Sequence, residues 1–213
     1  MSESAENSNE IYSRSPHLLH KTRSTLLVID LQEKLVPSIR GHQKLIWNTR
    51  RLVDGAGILE VPVVATEQYP RGLGPTVAEI GDKLDSIPEK SMFSCRECSS
   101  IIEHARDTNR HQMVLTGIET HVCVLQTALD FVAAGLDVFL VTDATGSRFR
   151  KDQRIAIQRM QSQGINLITT ESVLFEWCEV SGTPEFKKIS ELVKEDGPHG
   201  ISEQDAGRHS SRT

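Results

Sequence analysis

The chain has 213 residues and a formal net charge of −5, with acidic and basic side chains interspersed. That length suits one domain with a core of its own. The absence of a basic stripe argues against a nucleic-acid partner, and no apolar stretch approaches membrane-spanning length. Residues 1–23 are rich in Ser, Glu, Asn, Arg and His and lack the apolar core of a signal peptide. They read as a flexible arm suited to packing on a partner subunit. With no export signal, Cys95, Cys98, Cys123 and Cys178 read as free thiols of a cytoplasmic chain.

The first strand is the apolar run ending Leu26-Leu27-Val28-Ile29, and Asp30 follows it. A helix spans Gln43 to Leu59, with Leu45, Ile46, Leu52, Val53 and Ile58 at helical spacing. The second strand, Val61 to Ala65, leads to Thr66-Glu67-Gln68. Tyr69-Pro70 and Gly72-Leu73-Gly74 then form a rigid loop. Gln68 and Tyr69 would offer a pocket hydrogen bonds and an apolar wall. Lys90 lies in a loop-like segment after Pro88, followed by a helix from Ser99 to Arg106.

Met113 to Thr116 is the third strand and Gly117 a tight turn, after which Cys123 opens a helix running to Ala134. Val138 to Val141 is a fourth strand, Lys151 to Gln163 a helix and Ile165 to Ile168 a fifth strand. Short helices follow at Glu171 to Trp177 and Pro184 to Lys194, the latter capped by Thr183. Residues 24–194 make the domain, and residues 195–213, rich in Asp, Gly, His, Ser and Arg, read as a disordered tail.

Short Val/Ile/Leu runs alternating with helices imply right-handed βαβ units. The expected fold is a three-layer α/β/α sandwich with a mainly parallel, doubly wound sheet. Its ligand crevice lies beyond the C-terminal ends of the strands, where Asp30, Thr66-Glu67-Gln68, Gly117 and Asp143 converge.

Cys123 in the first turn of a helix would feel the positive end of the helix dipole. Its pKa would fall and it would become a nucleophile. Asp30 is placed to act as a base, and Lys90 as a cation beside the thiolate. Each has a plainer alternative: a buried structural cysteine, a capping carboxylate, a solvated lysine. His121 is two residues from Cys123, so the two side chains diverge and His121 only lines the pocket.

Cys95-Arg96-Glu97-Cys98 has the spacing of a redox pair or half a zinc site, but no further ligands follow at workable spacing. No D-x-H pattern is present, so neither a metal nor another cofactor is expected. Asp143 would hold the backbone of the Thr145 to Ser147 turn. Arg148 would bind a substrate carboxylate or cap that turn.

Three motifs in order carry a resemblance: Leu27-Val28-Ile29-Asp30-Leu31-Gln32, Lys90-Ser91-Met92-Phe93-Ser94, and Thr116-Gly117-Ile118-Glu119-Thr120-His121-Val122-Cys123-Val124. With Thr142-Asp143-Ala144, residues 24–194 resemble the isochorismatase-like cysteine hydrolases, a superfamily that includes nicotinamidase and N-carbamoylsarcosine amidase. Thr66 to Val77 resembles the isochorismatase-domain-containing subgroup.

The resemblance implies a catalytic triad of Asp30 as base, Lys90 as stabilising cation and Cys123 as nucleophile. It implies a cis peptide between Ile118 and Glu119, and an oxyanion hole built from the backbone N–H groups of Glu119 and Cys123. Gln68, Tyr69, Phe93 and His121 would contact substrate. The implied reaction is an amidase-type hydrolysis of a C–N bond in a small carbonyl compound through a thioester, in a homo-oligomer. The alternatives are hydrolysis of another bond, as in isochorismate cleavage, a catalytically weak binding or scaffold member, and a thiol oxidoreductase using Cys95 and Cys98. The nicotinamidase metal ligands are not visible, which argues against that substrate.

Overall fold

In the computed structural model, residues 14–198 are described. Six strands form: β1 (Ser24–Ile29), β2 (Val63–Gln68), β3 (Glu89–Lys90), β4 (Gln112–Ile118), β5 (Asp137–Gly146) and β6 (Asn166–Ile168). All neighbours pair in parallel, in the order β3-β2-β1-β4-β5-β6. The longer helices are α1 (His42–Leu59), α4 (Ser99–Asp107), α5 (Leu125–Ala133), α6 (Arg150–Ser162), α7 (Thr170–Cys178) and α8 (Pro184–Val193); α2 (Pro70–Leu73) and α3 (Ala78–Gly81) are single turns.

β1 shows why the layers form. Every residue of this strand is buried, and alternate side chains serve opposite faces. Leu26 and Val28 pack with Leu52 and Ala56 of α1, Leu174 and Trp177 of α7, and Ile189 of α8. Leu27 and Ile29 pack with Ile101 of α4, Ala128 and Phe131 of α5, and Met160 of α6. The chain leaves β1 for β2 on one side and later adds β4 on the other. Right-handed crossovers running outward both ways put their helices on opposite faces. The result is the expected three-layer, doubly wound architecture.

Where β4 meets β1, Gly117 has φ 118°, and a Cβ there would sit 2.1 Å from the carbonyl oxygen of Ile29. Only glycine lets the two backbones lie that close.

Some expected boundaries move. β2 starts at Val63 and continues through Gln68, so Thr66 lies inside a strand. β3 replaces the expected loop: Glu67 and Gln68 pair with Glu89 and Lys90. It is too short and polar to show an apolar period. β5 extends to Gly146 through a bulge, since β4 advances from Leu115 to Gly117 while β5 advances from Leu140 to Thr145.

The expected arm packs on its own chain from Arg14 onward. Leu19 is fully buried, and its N–H donates to the Glu176 carboxylate at 2.7 Å. At the other end Glu195 pairs with Arg50, and Gly197 lies against the Trp47 ring. Residues 1–13 and 199–213 of the expected arm and tail lie outside the described residues. Among the described residues no helix is long and apolar enough to cross a membrane.

Candidate active site

The strand order reverses between β1 and β4, and a doubly wound sheet opens its crevice at that point. Asp30 leaves the end of β1 with φ 53°, a left-handed conformation that Asp tolerates better than most residues. Its N–H donates to Thr66 O (3.1 Å) and its carbonyl accepts from Gln32 N (2.8 Å).

Lys90 reaches the Asp30 carboxylate from β3, two strands away. Its Nζ shares its three N–H donors among four oxygens, Asp30 Oδ2 (2.7 Å), Gln68 Oε1 (2.8 Å), Phe93 O (3.1 Å) and Met92 O (3.3 Å). Thr66 Oγ1 donates to the other carboxylate oxygen, Oδ1, at 2.9 Å. Both side chains of the ion pair are 0% exposed. Removing two charges from water is costly, so such a pair persists only where every polar atom is met. The surrounding oxygens and the Thr66 hydroxyl meet that need.

Cys123 arrives from β4 on a π-helical turn, Thr120–Val124, that runs directly into α5. The turn is widened by a bond from Val124 N–H to Glu119 O (3.3 Å). The Ile118–Glu119 peptide is cis. The thiol is buried and faces the Asp30–Lys90 pair.

Burial pushes the Cys123 thiol well above its ordinary range. The negative charge of Asp30 adds to the rise, and Lys90 only partly opposes it. This corrects the expectation of a lowered pKa. The cysteine lies within the π turn before α5 and faces a carboxylate, and burial and that charge outweigh any helix dipole. Burial also raises the Asp30 carboxyl, against the opposing pull of Lys90, Cys123 and Thr66. Burial alone would lower Lys90, but Asp30 and the nearby thiols carry it upward, so it is a cation at neutral pH. The site therefore sets a thiol that burial keeps protonated beside a carboxylate paired with a cation.

The fold brings Asp30, Lys90 and Cys123 together. It also ties Gln68 to this group. Gln68 Oε1 accepts from Lys90 and its Nε2 donates to Ser91 O (2.7 Å), so the amide bridges Lys90 and the loop after β3. Gln68 thus holds Lys90 in place. Tyr69 and Phe93 stand more than half exposed, on the loops after β2 and β3. The His121 ring bonds Ser147 Oγ at 3.0 Å, tying the Cys123 turn to the loop after β5. The Glu119 carboxylate accepts from Arg148 N (3.0 Å) and Arg148 Nε (3.2 Å), so Arg148 anchors this loop.

Asp143 does structural work, but at another place than expected. Its Oδ1 accepts from Thr170 N (2.8 Å) and Thr170 Oγ1 (3.0 Å) at the start of α7. The expected Thr145 to Ser147 turn does not form, because Thr145 and Gly146 belong to β5 and pair with β4. Two contacts near the site had no local signature. Thr66 stands beside Asp30 because β2 pairs in register with β1, Ile29 opposite Thr66. Cys95, the first cysteine of the C-x-x-C, lies 3.5 Å from Thr66 Oγ1.

A family model described as the isochorismatase domain matches residues 24–172. The chain is 38% identical over 175 residues to isochorismatase domain-containing protein 2A of Mus musculus, covering 82% of this chain and 84% of that one. It is 39% identical over 178 residues to a secreted isochorismatase effector of Phytophthora sojae, covering 81% and 85%. Isochorismatase domain-containing protein 1 of Danio rerio is 38% identical over 185 residues, 84% of this chain, but the match spans 64% of that longer protein.

Among solved structures, the MAR1 ribonuclease of Caenorhabditis elegans superposes with TM-score 0.79 at 37% identity, covering 85% of this chain and 95% of that one. YcaC of Pseudomonas aeruginosa, solved with hexane-2,5-diol and covalent acrylamide, superposes with TM-score 0.76 at 25% identity, covering 84% and 93%. The chain belongs to the isochorismatase family.

Proposed function

We propose that this protein is a cysteine hydrolase that cleaves the C–N bond of a small amide-type substrate. The observation that carries the reading is the buried 2.7 Å Asp30–Lys90 pair facing the Cys123 thiol. A charged pair sealed from water costs stability and needs a reason to be kept. Accepting a proton from a thiol is such a reason.

Cys123 Sγ attacks the carbonyl carbon while its proton passes to Asp30. Lys90 balances the charge as the proton moves. The oxygen of the tetrahedral intermediate is received by the backbone N–H groups of Glu119 and Cys123. Asp30 returns the proton to the departing nitrogen, leaving a thioester on Cys123. Water, deprotonated by Asp30, then attacks the thioester and frees the acid and the thiol. Because the resting thiol is protonated, Asp30 must act during the attack. Tyr69, Phe93 and His121 would meet the substrate. We expect a homo-oligomer, which sedimentation velocity tests directly.

A second reading, hydrolysis of another bond such as the enol ether of isochorismate, is favoured by the name of the Phytophthora sojae relative. It needs no thiol nucleophile. The experiment is ammonia release from a panel of small amides and ureides by the parent and Cys123→Ala proteins. Isochorismate and, in view of the Caenorhabditis elegans relative, RNA are run beside them. Loss of amide turnover in Cys123→Ala supports the first reading. Turnover of isochorismate that survives the substitution supports the second.

A further inference from the structure

Cys95 has no part in acyl transfer, yet it is wholly buried next to the base. Its Sγ lies 3.5 Å from Thr66 Oγ1, which donates to Asp30 Oδ1 at 2.9 Å. A hydroxyl has one proton to give. The carboxylate takes it, so the Cys95 thiol is the donor to Thr66. Burial pushes that thiol up to about 11, and it keeps its proton at neutral pH.

Cys95 is itself fixed. Its N–H donates to Thr127 Oγ1 of α5 at 2.9 Å, and Ser94 caps its turn by accepting from Arg96 N at 3.2 Å. A chain of contacts thus runs from α5 through Cys95 and Thr66 to the base. Of the two Asp30 carboxylate oxygens, Lys90 holds Oδ2. Among the described residues the side-chain donor to Oδ1 is Thr66.

We propose that Thr66 is a positioning residue that holds the Asp30 carboxylate toward the Cys123 thiol, and that Cys95 holds Thr66 in turn. The C-x-x-C then works through its first cysteine, as a hydrogen-bond donor. Cys98 is not needed: its N–H bonds Cys95 O at 3.0 Å, and it makes no bond to Thr66. The proposal rests on the preceding reading in one respect, that Asp30 accepts the Cys123 proton. The titratable groups facing Asp30 are Lys90 from β3, Cys123 from the turn after β4 and Cys95 from the turn before α4, with Cys98 beyond them.

The test is the rate of Cys123 alkylation by iodoacetamide across acid to alkaline pH. It is read on the Cys123 peptide by mass spectrometry, in the full chain. The parent rate falls on the acid side as Asp30 takes up a proton. Thr66→Val removes the hydroxyl at nearly constant size. A carboxylate that loses a donor to its ionised form titrates higher. The acid limb should move up by about one pH unit, which is roughly tenfold slower alkylation at a fixed pH below it. Thr66→Ser restores the limb.

Cys95→Ala moves the limb the same way by a smaller step, Cys95→Ser returns it, and Cys98→Ala leaves it in place. If Thr66→Val does not fold, the Cys95→Ala and Cys95→Ser pair decides. A stable variant with an unmoved limb overturns the proposal, whatever its melting temperature, because a merely structural role would change stability alone. A parent protein whose Cys123 shows no acid limb overturns the base–nucleophile reading itself, so the two failures are distinct.

Discussion

Replacing Lys90 by Met keeps most of the side-chain stem and removes the charge. The Asp30 carboxylate, 0% exposed, then loses its 2.7 Å cationic partner and keeps only neutral ones, Thr66 and the Cys123 thiol. Breaking a buried ion pair from one side costs about 3–5 kcal/mol, because the remaining charge is stranded. For a chain of this size each kcal/mol lowers the melting temperature by about 2–4 °C, so a fall of roughly 6–20 °C is expected.

The stranded carboxylate can escape by taking up a proton. Burial already raises Asp30, and removing the opposing Lys90 raises it further. A carboxyl whose folded pKa exceeds its unfolded value of about 3.9 makes the fold lose stability as pH rises through that interval. The deficit of Lys90→Met against the parent should therefore be larger at about pH 8 than at about pH 5. The double variant Asp30→Asn/Lys90→Met leaves no buried charge and should recover most of the loss, since Asn tolerates the left-handed backbone at this position. Urea and thermal unfolding at both pH values measure all of this. A loss below about 1 kcal/mol, equal at the two pH values, would refute the buried pair as described.

Three further outcomes follow from the same geometry. In Asp30→Asn the charge that raises the Cys123 thiol is gone, so thiolate absorbance against a matching Cys123→Ala background should appear at lower pH, while turnover at neutral pH drops about 100-fold or more. Undiminished turnover in that variant would remove Asp30 as the base. Gly117→Ala should fail to give folded protein by circular dichroism, since its Cβ meets the Ile29 carbonyl oxygen at 2.1 Å. Gly57→Ala, within α1 and with nothing within 4 Å of its Cβ, should stabilise by about 0.5–1 kcal/mol in urea melts; a loss would show that the helix surface there is more crowded than it stands.

The parts of the molecule that could be read in advance share a physical cause. β1 and β4 are buried on both faces, so each writes a continuous apolar run into the chain. α1 and α5 announce themselves by one apolar face each. With strands and helices known, the convergence of Asp30 and Cys123 follows from topology. β3 could not be read, because two polar residues at a sheet edge carry no period. Thr66 depended on the register between β1 and β2, and Cys95 on a contact across the site. The sign of the Cys123 shift was hidden for the same reason. The local cue was a helix start, whereas the shift comes from burial and then from the charge of Asp30, 93 residues earlier at the end of β1.

The central claim is that Cys123 becomes acylated during turnover. It is tested most directly by acid-quenching the protein during reaction with an active amide and mapping the adduct by mass spectrometry. The account predicts a mass gain equal to the acyl group on the Cys123 peptide, absent in Cys123→Ala together with the activity. Steady turnover with no adduct on Cys123, or activity that persists in Cys123→Ala, would contradict it.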